Sequence, residues 1–219
     1  IGISADNGDL PVMTLENEPT KPTSVTLFLS SGCNLYCVYC YAASAQRKVT
    51  NMTFQTAKAG IDFVCRNAEE SGSPDFEVIY HGGGEFTQNW KVFTESVTHA
   101  RFLERKIGLE VVFFAASNGV FSEKQCQWII QNLQGMSLSV DGLPEIHDVH
   151  RPLSSGGPSS KLVFNTINSF TKADFPYSIR LPVTSDSVDR LPKSIEYLLN
   201  HASPTRIVVE PVYNLGRGQ

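Results

Sequence analysis

The chain has 219 residues, 41% of them apolar, and a net charge of −4 from 18 basic and 22 acidic side chains. That length suits one large domain with a substantial core, alone or with a short appendage. The basic residues form neither a stripe for nucleic acid nor a polybasic membrane patch, and no apolar run approaches the roughly 18 residues of a membrane span.

Residues 1–24 are polar, rich in Pro and Thr, and without periodicity, so they are expected to form an irregular lead-in to a core domain over 25–219. The opening "IGISADNGDL" has no charged n-region and no apolar h-region, which argues against a secretory signal. A chain that opens on Ile1 and stops at "NLGRGQ" is expected to belong to something longer.

From residue 25 onward, short β-rich runs alternate with helical patterns. Strands are predicted at 25–30, 77–84, 109–119, 136–142, 178–183 and 206–212, each β-branched or aromatic and bounded by Gly, Asp, Asn or Pro. Between them, 53–70 places Phe54, Ala57, Ile61, Val64, Cys65 and Ala68 on one helical face. Residues 89–107 do the same with Trp90, Phe93, Val97, Ala100, Leu103 and Ile107, with Gly108 at the C-cap position. Ser122 and Gln125 form a capping-box pattern opening a third helix that Gly135 would close. Weaker helical patterns cover 160–172 and 187–201. Six strands alternating with five helices imply an α/β fold with parallel strands and right-handed crossovers. Six units are too few for a full eight-stranded barrel. They fit a partial (β/α)6 barrel or a doubly wound sheet, and the partial barrel is the expectation.

Three of the five cysteines, Cys33, Cys37 and Cys40, crowd the loop after the first strand, in "SGCNLYCVYCYA". In parallel α/β folds, sites form at carboxyl ends of strands. Structural zinc wants four ligands, commonly two separated CxxC pairs, and there is no second pair here. A thioredoxin-type Cys37–Cys40 pair leaves Cys33 idle, and a c-type haem site needs His where Tyr41 stands. Three merely buried thiols would not cluster in a loop containing Gly and Asn. An odd cysteine count fits a disulfide framework poorly and suits a reducing cytoplasm. An iron–sulfur cluster remains: three thiolates on a cubane leave one iron open to a small molecule. Cys65 and Cys126 lie on apolar helix faces and are expected to be core thiols.

The C-x3-C-x2-C spacing, with Tyr39 just before the last cysteine, resembles the signature of the radical S-adenosylmethionine (radical SAM) superfamily. The resemblance implies a [4Fe–4S] cluster on Cys33, Cys37 and Cys40, with S-adenosylmethionine chelating the fourth iron through its amino and carboxylate groups. It also implies one-electron cleavage to a 5′-deoxyadenosyl radical that takes a hydrogen atom from an unactivated C–H bond. Other strand ends carry the same resemblance. Gly83, Gly84 and Glu85 match the "GGE" turn that holds the methionine amino group. His81 stands just before the glycines, and Phe86 departs from the usual Pro. "SNG" with Asn118 resembles a "TNG" turn. "SLSVDGLPEIHDVHR" resembles the S-x-D-G…H-D-x-x-R pattern of the peptide- and sulfatase-maturating branch. There Ser139 and Arg151 would bind the cofactor, the arginine through its planar fork on the carboxylate. His147 and Asp148 are read as stabilising that loop, Tyr39 as packing near the adenine, and "NLGRG" (214–218) as the segment after the sixth strand.

The resemblance therefore implies an enzyme of the SPASM or twitch type without its cysteine-rich C-terminal extension, since no cysteine follows Cys126. Its partners would be a peptide or protein substrate and an external reductant of the flavodoxin or ferredoxin kind. Crosslinking of a ribosomally made precursor peptide is favoured over sulfatase maturation. A non-catalytic iron–sulfur or peptide-binding protein is the rival, and a methionine-binding turn would be of no use to it. Arg180, inside the fifth strand, either points into the barrel or forms a structural ion pair.

Overall fold

The computed structural model describes residues 20–42 and 48–212. Six strands lie side by side: β1 (Ser24–Phe28), β2 (Asp75–His81), β3 (Glu110–Ser117), β4 (Gly135–Ser139), β5 (Tyr177–Val183) and β6 (Arg206–Pro211). Their spatial order is their chain order, and every neighbouring pair is parallel. A doubly wound sheet would reverse its order at a switch point. This sheet does not, and β1 and β6 stay unpaired with each other, so it is an open partial barrel. The segments 1–19 and 214–218, including the "NLGRG" stretch, lie outside the described residues.

The crossovers are α1 (Phe54–Ser71), α2 (Trp90–Ile107), α3 (Glu123–Asn132), α5 (Ser160–Lys172) and α6 (Leu191–His201). Thr53 caps α1, and left-handed Gly72 and Gly108 end α1 and α2. The Ser122–Gln125 capping box forms as its spacing implies. The helix it opens stops at Asn132, and Gly135 instead opens β4, where a Cβ would meet the Phe114 ring at 3.0 Å. The sixth helix, α4 (Pro144–His150), was not anticipated. Seven residues are too few to show an apolar period, and the local signals are terminal ones, Pro144 and Glu145 in the first turn.

Alternation along the strands divides the sheet into two faces. Phe76, Val78 and Tyr80 of β2, Val111 and Phe113 of β3, and Tyr177, Ile179 and Leu181 of β5 are buried against the helices. Their neighbours, among them Ile79, Phe114 and Arg180, form the other face, which is concave and partly open. Phe93 centres the densest part of the core: its ring lies 4.6 Å from Tyr80, 4.8 Å from Phe86, and 5.2 Å from both Trp90 and Trp128. Ser96 gives its proton to the Phe93 carbonyl, so the Tyr80 hydroxyl donates to Ser96 Oγ at 2.9 Å. Cys65 and Cys126 are buried as expected.

Truncating Phe93 to Ala should lower unfolding free energy by about 3–5 kcal/mol in urea titration, because every ring around it loses a partner. A loss below about 1 kcal/mol would mean this cluster is not the centre of the core.

Candidate functional site

The cysteine loop leaves the end of β1 and is held on both sides. Leu29 and Leu35 are fully buried anchors. Tyr36 N–H donates to the Pro152 carbonyl and Val38 N–H to that of His150, both at 2.8 Å, and Leu35 bridges Leu153. The loop thus forms a short antiparallel edge with the segment that follows α4. Its thiols receive donors: Leu35 N–H at 3.4 Å and Asn118 Nδ2 at 3.5 Å on Cys33 Sγ, and Arg151 Nη1 at 3.9 Å on Cys37 Sγ. Burial, with lesser contributions from Glu85 and Cys37, pushes the Cys33 thiol up to about 12. Cys33 therefore keeps its proton at neutral pH unless a metal displaces it. Among the described residues no three His, Cys, Asp or Glu side chains converge on a single-ion position. A cluster sets a different demand, because each thiolate meets its own iron.

The glycine turn after β2 packs directly under this loop. A Cβ on Gly84 would stand 2.2 Å from the Gly32 carbonyl oxygen, and Glu85 N–H donates to that same oxygen at 2.8 Å. Gly84 is thus required by backbone meeting backbone. At Gly83 an added Cβ would meet only Ala42, at 3.8 Å. Glu85 is buried, and burial raises its pKa against several donors: Asn118 N–H at 2.9 Å, Ser117 Oγ at 3.0 Å and Thr87 Oγ1 at 3.2 Å. Its carboxylate ties the end of β2 to the end of β3. Asn118 in turn donates to Asn34 Oδ1 at 2.8 Å, and Asn34 Nδ2 to the Val120 carbonyl at 2.6 Å.

The fourth strand end is organised by Asp141, whose importance the sequence reading missed. It accepts from Tyr39 Oη at 2.7 Å, His150 Nδ1 at 2.9 Å and Arg151 Nε at 2.5 Å. Burial alone would raise its pKa, but the Arg151 charge and the His150 and Tyr39 hydrogen bonds hold it down to about 2. The Arg151 guanidinium also lies 5.3 Å over the Tyr39 ring. His147 is pushed down to about 4 by burial and then by Arg151. Being neutral, it accepts the Asp141 N–H on Nδ1 at 3.2 Å, and its buried Nε2 has no partner among the described residues. Asp148 accepts from Ser159 N–H at 2.9 Å and Ser160 N–H at 2.7 Å, fastening the start of α5.

One cavity of about 190 Å³ gathers these strand ends. Cys33, Cys37 and Cys40 line it, and so do Tyr39, His81, Gly83, Gly84, Glu85, Asn118, Ser139 and Arg151. The residues assigned from the sequence to the cluster and the cofactor thus all line one space. Arg180, one of whose two expected positions was the barrel interior, lines it too. His81 stands at its edge, where burial and then the Arg180 charge lower its pKa.

An open, sequentially ordered parallel barrel with a thiol-lined pocket at its strand ends defines the class. The family model described as the Radical SAM superfamily matches residues 27–198, and the chain belongs to that superfamily of enzymes, whose cofactors are a [4Fe–4S] cluster and S-adenosylmethionine. Among curated relatives, the sporulation killing factor maturation protein SkfB of Bacillus subtilis is 26% identical over 82% of this chain and 40% of its own length. The cysteine-type anaerobic sulfatase-maturating enzyme of Clostridium perfringens is 26% identical over 77% of this chain and 46% of its own. The AdoMet-dependent heme synthase of Methanosarcina barkeri is 31% identical over 80% of this chain and 46% of its own. The solved structure of native anSMEcpe with bound AdoMet and Kp18Cys peptide superposes with a TM-score of 0.75 at 23% identity, covering 87% of this chain and 51% of that one. The chain spans about half the length of the curated relatives it matches or less.

Two outcomes test this geometry. Gly84→Ala should lose most of its iron after anaerobic reconstitution while Gly83→Ala keeps it; equal iron contents would show that the close approach to Gly32 is dispensable. A carboxylate depressed in the folded state stabilises above its unfolded pKa of 3.8, and that stability is lost as pH falls through about 2. The gap in urea stability between wild type and Asp141→Asn should therefore shrink by on the order of 2 kcal/mol across that window. A constant gap would remove Asp141 from the hub.

Proposed function

We propose that this chain is the core of a radical SAM enzyme that modifies a peptide or protein side chain, with Cys33, Cys37 and Cys40 holding the [4Fe–4S] cluster. The single observation that carries this is the shared cavity: three thiols, the glycine turn, Ser139 and Arg151 all line it. The donor set fits the group. Three thiolates leave one iron open, and N–H groups already point at two of the sulfurs, where they tune a cluster and ease thiolate formation. When bound, the cluster with S-adenosylmethionine supplies one-electron reduction of a sulfonium and hydrogen-atom abstraction from an unactivated C–H bond.

The chain's own residues bind and orient. Backbone groups of Gly83–Glu85 take the methionine ammonium, with the buried Glu85 carboxylate as a nearby negative charge. Ser139 and the free edge of the Arg151 guanidinium take the methionine carboxylate, with Asp141 holding the arginine in place. Tyr39, fixed through its hydroxyl, offers a ring wall toward the adenine. Asn118 and His81 close the sides. An external flavodoxin- or ferredoxin-like reductant and a reducing, cytoplasmic setting accompany this reading; no helix among the described residues is long and apolar enough to cross a membrane.

For the substrate, a precursor peptide whose side chain is crosslinked is the favoured reading, supported by the likeness to SkfB, a maturation protein. Sulfatase maturation is the alternative, supported by the relative of that name.

Anaerobic reconstitution with iron and sulfide should colour the protein, and S-adenosylmethionine with dithionite should then yield 5′-deoxyadenosine. Joint replacement of Cys33, Cys37 and Cys40 by Ala should abolish both; retained iron would refute the ligand assignment. Arg151→Lys should keep iron and weaken S-adenosylmethionine binding about tenfold by calorimetry, since an ammonium cannot reproduce the fork.

A further inference from the structure

The concave face of the sheet holds a second hollow, of about 560 Å³, directly beside the cysteine cavity. His81, Ala116 and Arg180 line both spaces. Register explains the arrangement: Ile79 stands beside Phe114, Ser139 beside Arg180, and Arg180 beside Val208. The floor is apolar, from Ile79, Phe114 and Val208, and Phe114 is left 42% exposed. The charge is of the opposite sign to that of the chain as a whole. Arg180 and Arg206 stand against Glu210, and Arg206 has no ion pair among the described residues.

Arg180 is held in a way that permits exchange. Its Nη2 alone reaches Glu210, at 3.0 Å from Oε1 and 2.9 Å from Oε2. Nε and Nη1 make no hydrogen bond among the described residues. The two side chains are 42% and 38% exposed. An ion pair so wet adds little stability, and either partner can be replaced by an external charge. A guanidinium offers a carboxylate two parallel donors, a geometry that Glu210 does not satisfy here.

We propose that Arg180 is a specificity-determining residue. It exchanges Glu210 for a carboxylate of an acidic peptide segment lying in the concave hollow, and so sets an adjacent apolar side chain over Phe114, on the face that joins the cofactor cavity through His81, Ala116 and Arg180. The occupant is an acidic peptide because the hollow pairs an apolar floor with excess positive charge on an otherwise anionic chain. The inference rests on the peptide-modifying reading above and adds to it which peptides are admitted.

The test is fluorescence anisotropy on the full chain with two labelled, N-acetylated hexapeptides, Gly-Phe-Gly-Asp-Gly-Gly and its Asn counterpart. Wild type should bind the Asp peptide about tenfold or more tightly than the Asn peptide. Arg180→Gln should erase that preference. Glu210→Gln, which removes the internal competitor, should enlarge it, whereas a purely structural ion pair would leave it unchanged or weaken both peptides alike. Equal binding of the two peptides, binding of neither, or a preference that survives in Arg180→Gln would overturn the proposal. So would a dimer, seen by light scattering, that must dissociate before peptide binds. Formation of 5′-deoxyadenosine by the same wild-type preparation without peptide is read in parallel. Its presence without a peptide preference sinks this inference alone, and its absence sinks the radical chemistry.

Discussion

A carboxylate removed from water must collect its hydrogen bonds from the protein, and at Asp141 that requirement draws three distant side chains to one point. Tyr39 comes from the cysteine loop, while His150 and Arg151 come from the end of α4. Tyr39 and Arg151 also line the cavity, while the other ring nitrogen of His150 reaches Asp186. Arg151 is thereby held by Asp141, by the Tyr39 ring and by the Cys37 sulfur at once. The position of the arginine relative to the thiols is not left to rotamer chance. The backbone contact between Gly84 and Gly32 does the same on the opposite side of the loop. The cysteine loop lies between these two clamps.

The strand pattern was legible because parallel strands here are short, apolar on one face and sharply bounded, and all six runs became strands. Choosing between open barrel and doubly wound sheet was beyond local pattern, since both alternate strand and helix; the sequential order decides it. α4 was invisible because seven residues carry no period, and its stability comes from the buried side chains of Ile146, His147 and His150. Asp141 was quoted within a motif yet given no work, because a buried carboxylate and a turn aspartate look alike in one dimension. Gly84 matched a family turn, but the close approach to the Gly32 backbone that also demands a glycine there is invisible in one dimension. Asp62 pairs with Lys58 one turn away on α1 and with His99 on α2, the second a contact between helices that no local spacing announces. Arg180 had two readings, barrel interior or ion pair, and both hold.

The two faces of the sheet follow opposite rules. Most parallel sheets are covered on both sides. Here the helix side is covered and dry, while the concave side carries Arg180, Glu210 and Arg206 around a half-exposed Phe114. The composition of that side suits an occupant that is itself part apolar and part charged, and fits water alone poorly.

Sequential strand order also has a kinetic side. Each β-strand pairs with the one made just before it, so the sheet can grow strand by strand as the chain leaves the ribosome, each pairing waiting for its helical crossover. The thiol loop cannot keep that pace. Tyr39 waits for a residue 102 positions later and Cys37 for one 114 positions later. On a nascent chain the loop therefore lacks these partners until Arg151 has been made, so the formed site, and metal loading into it, come after that point.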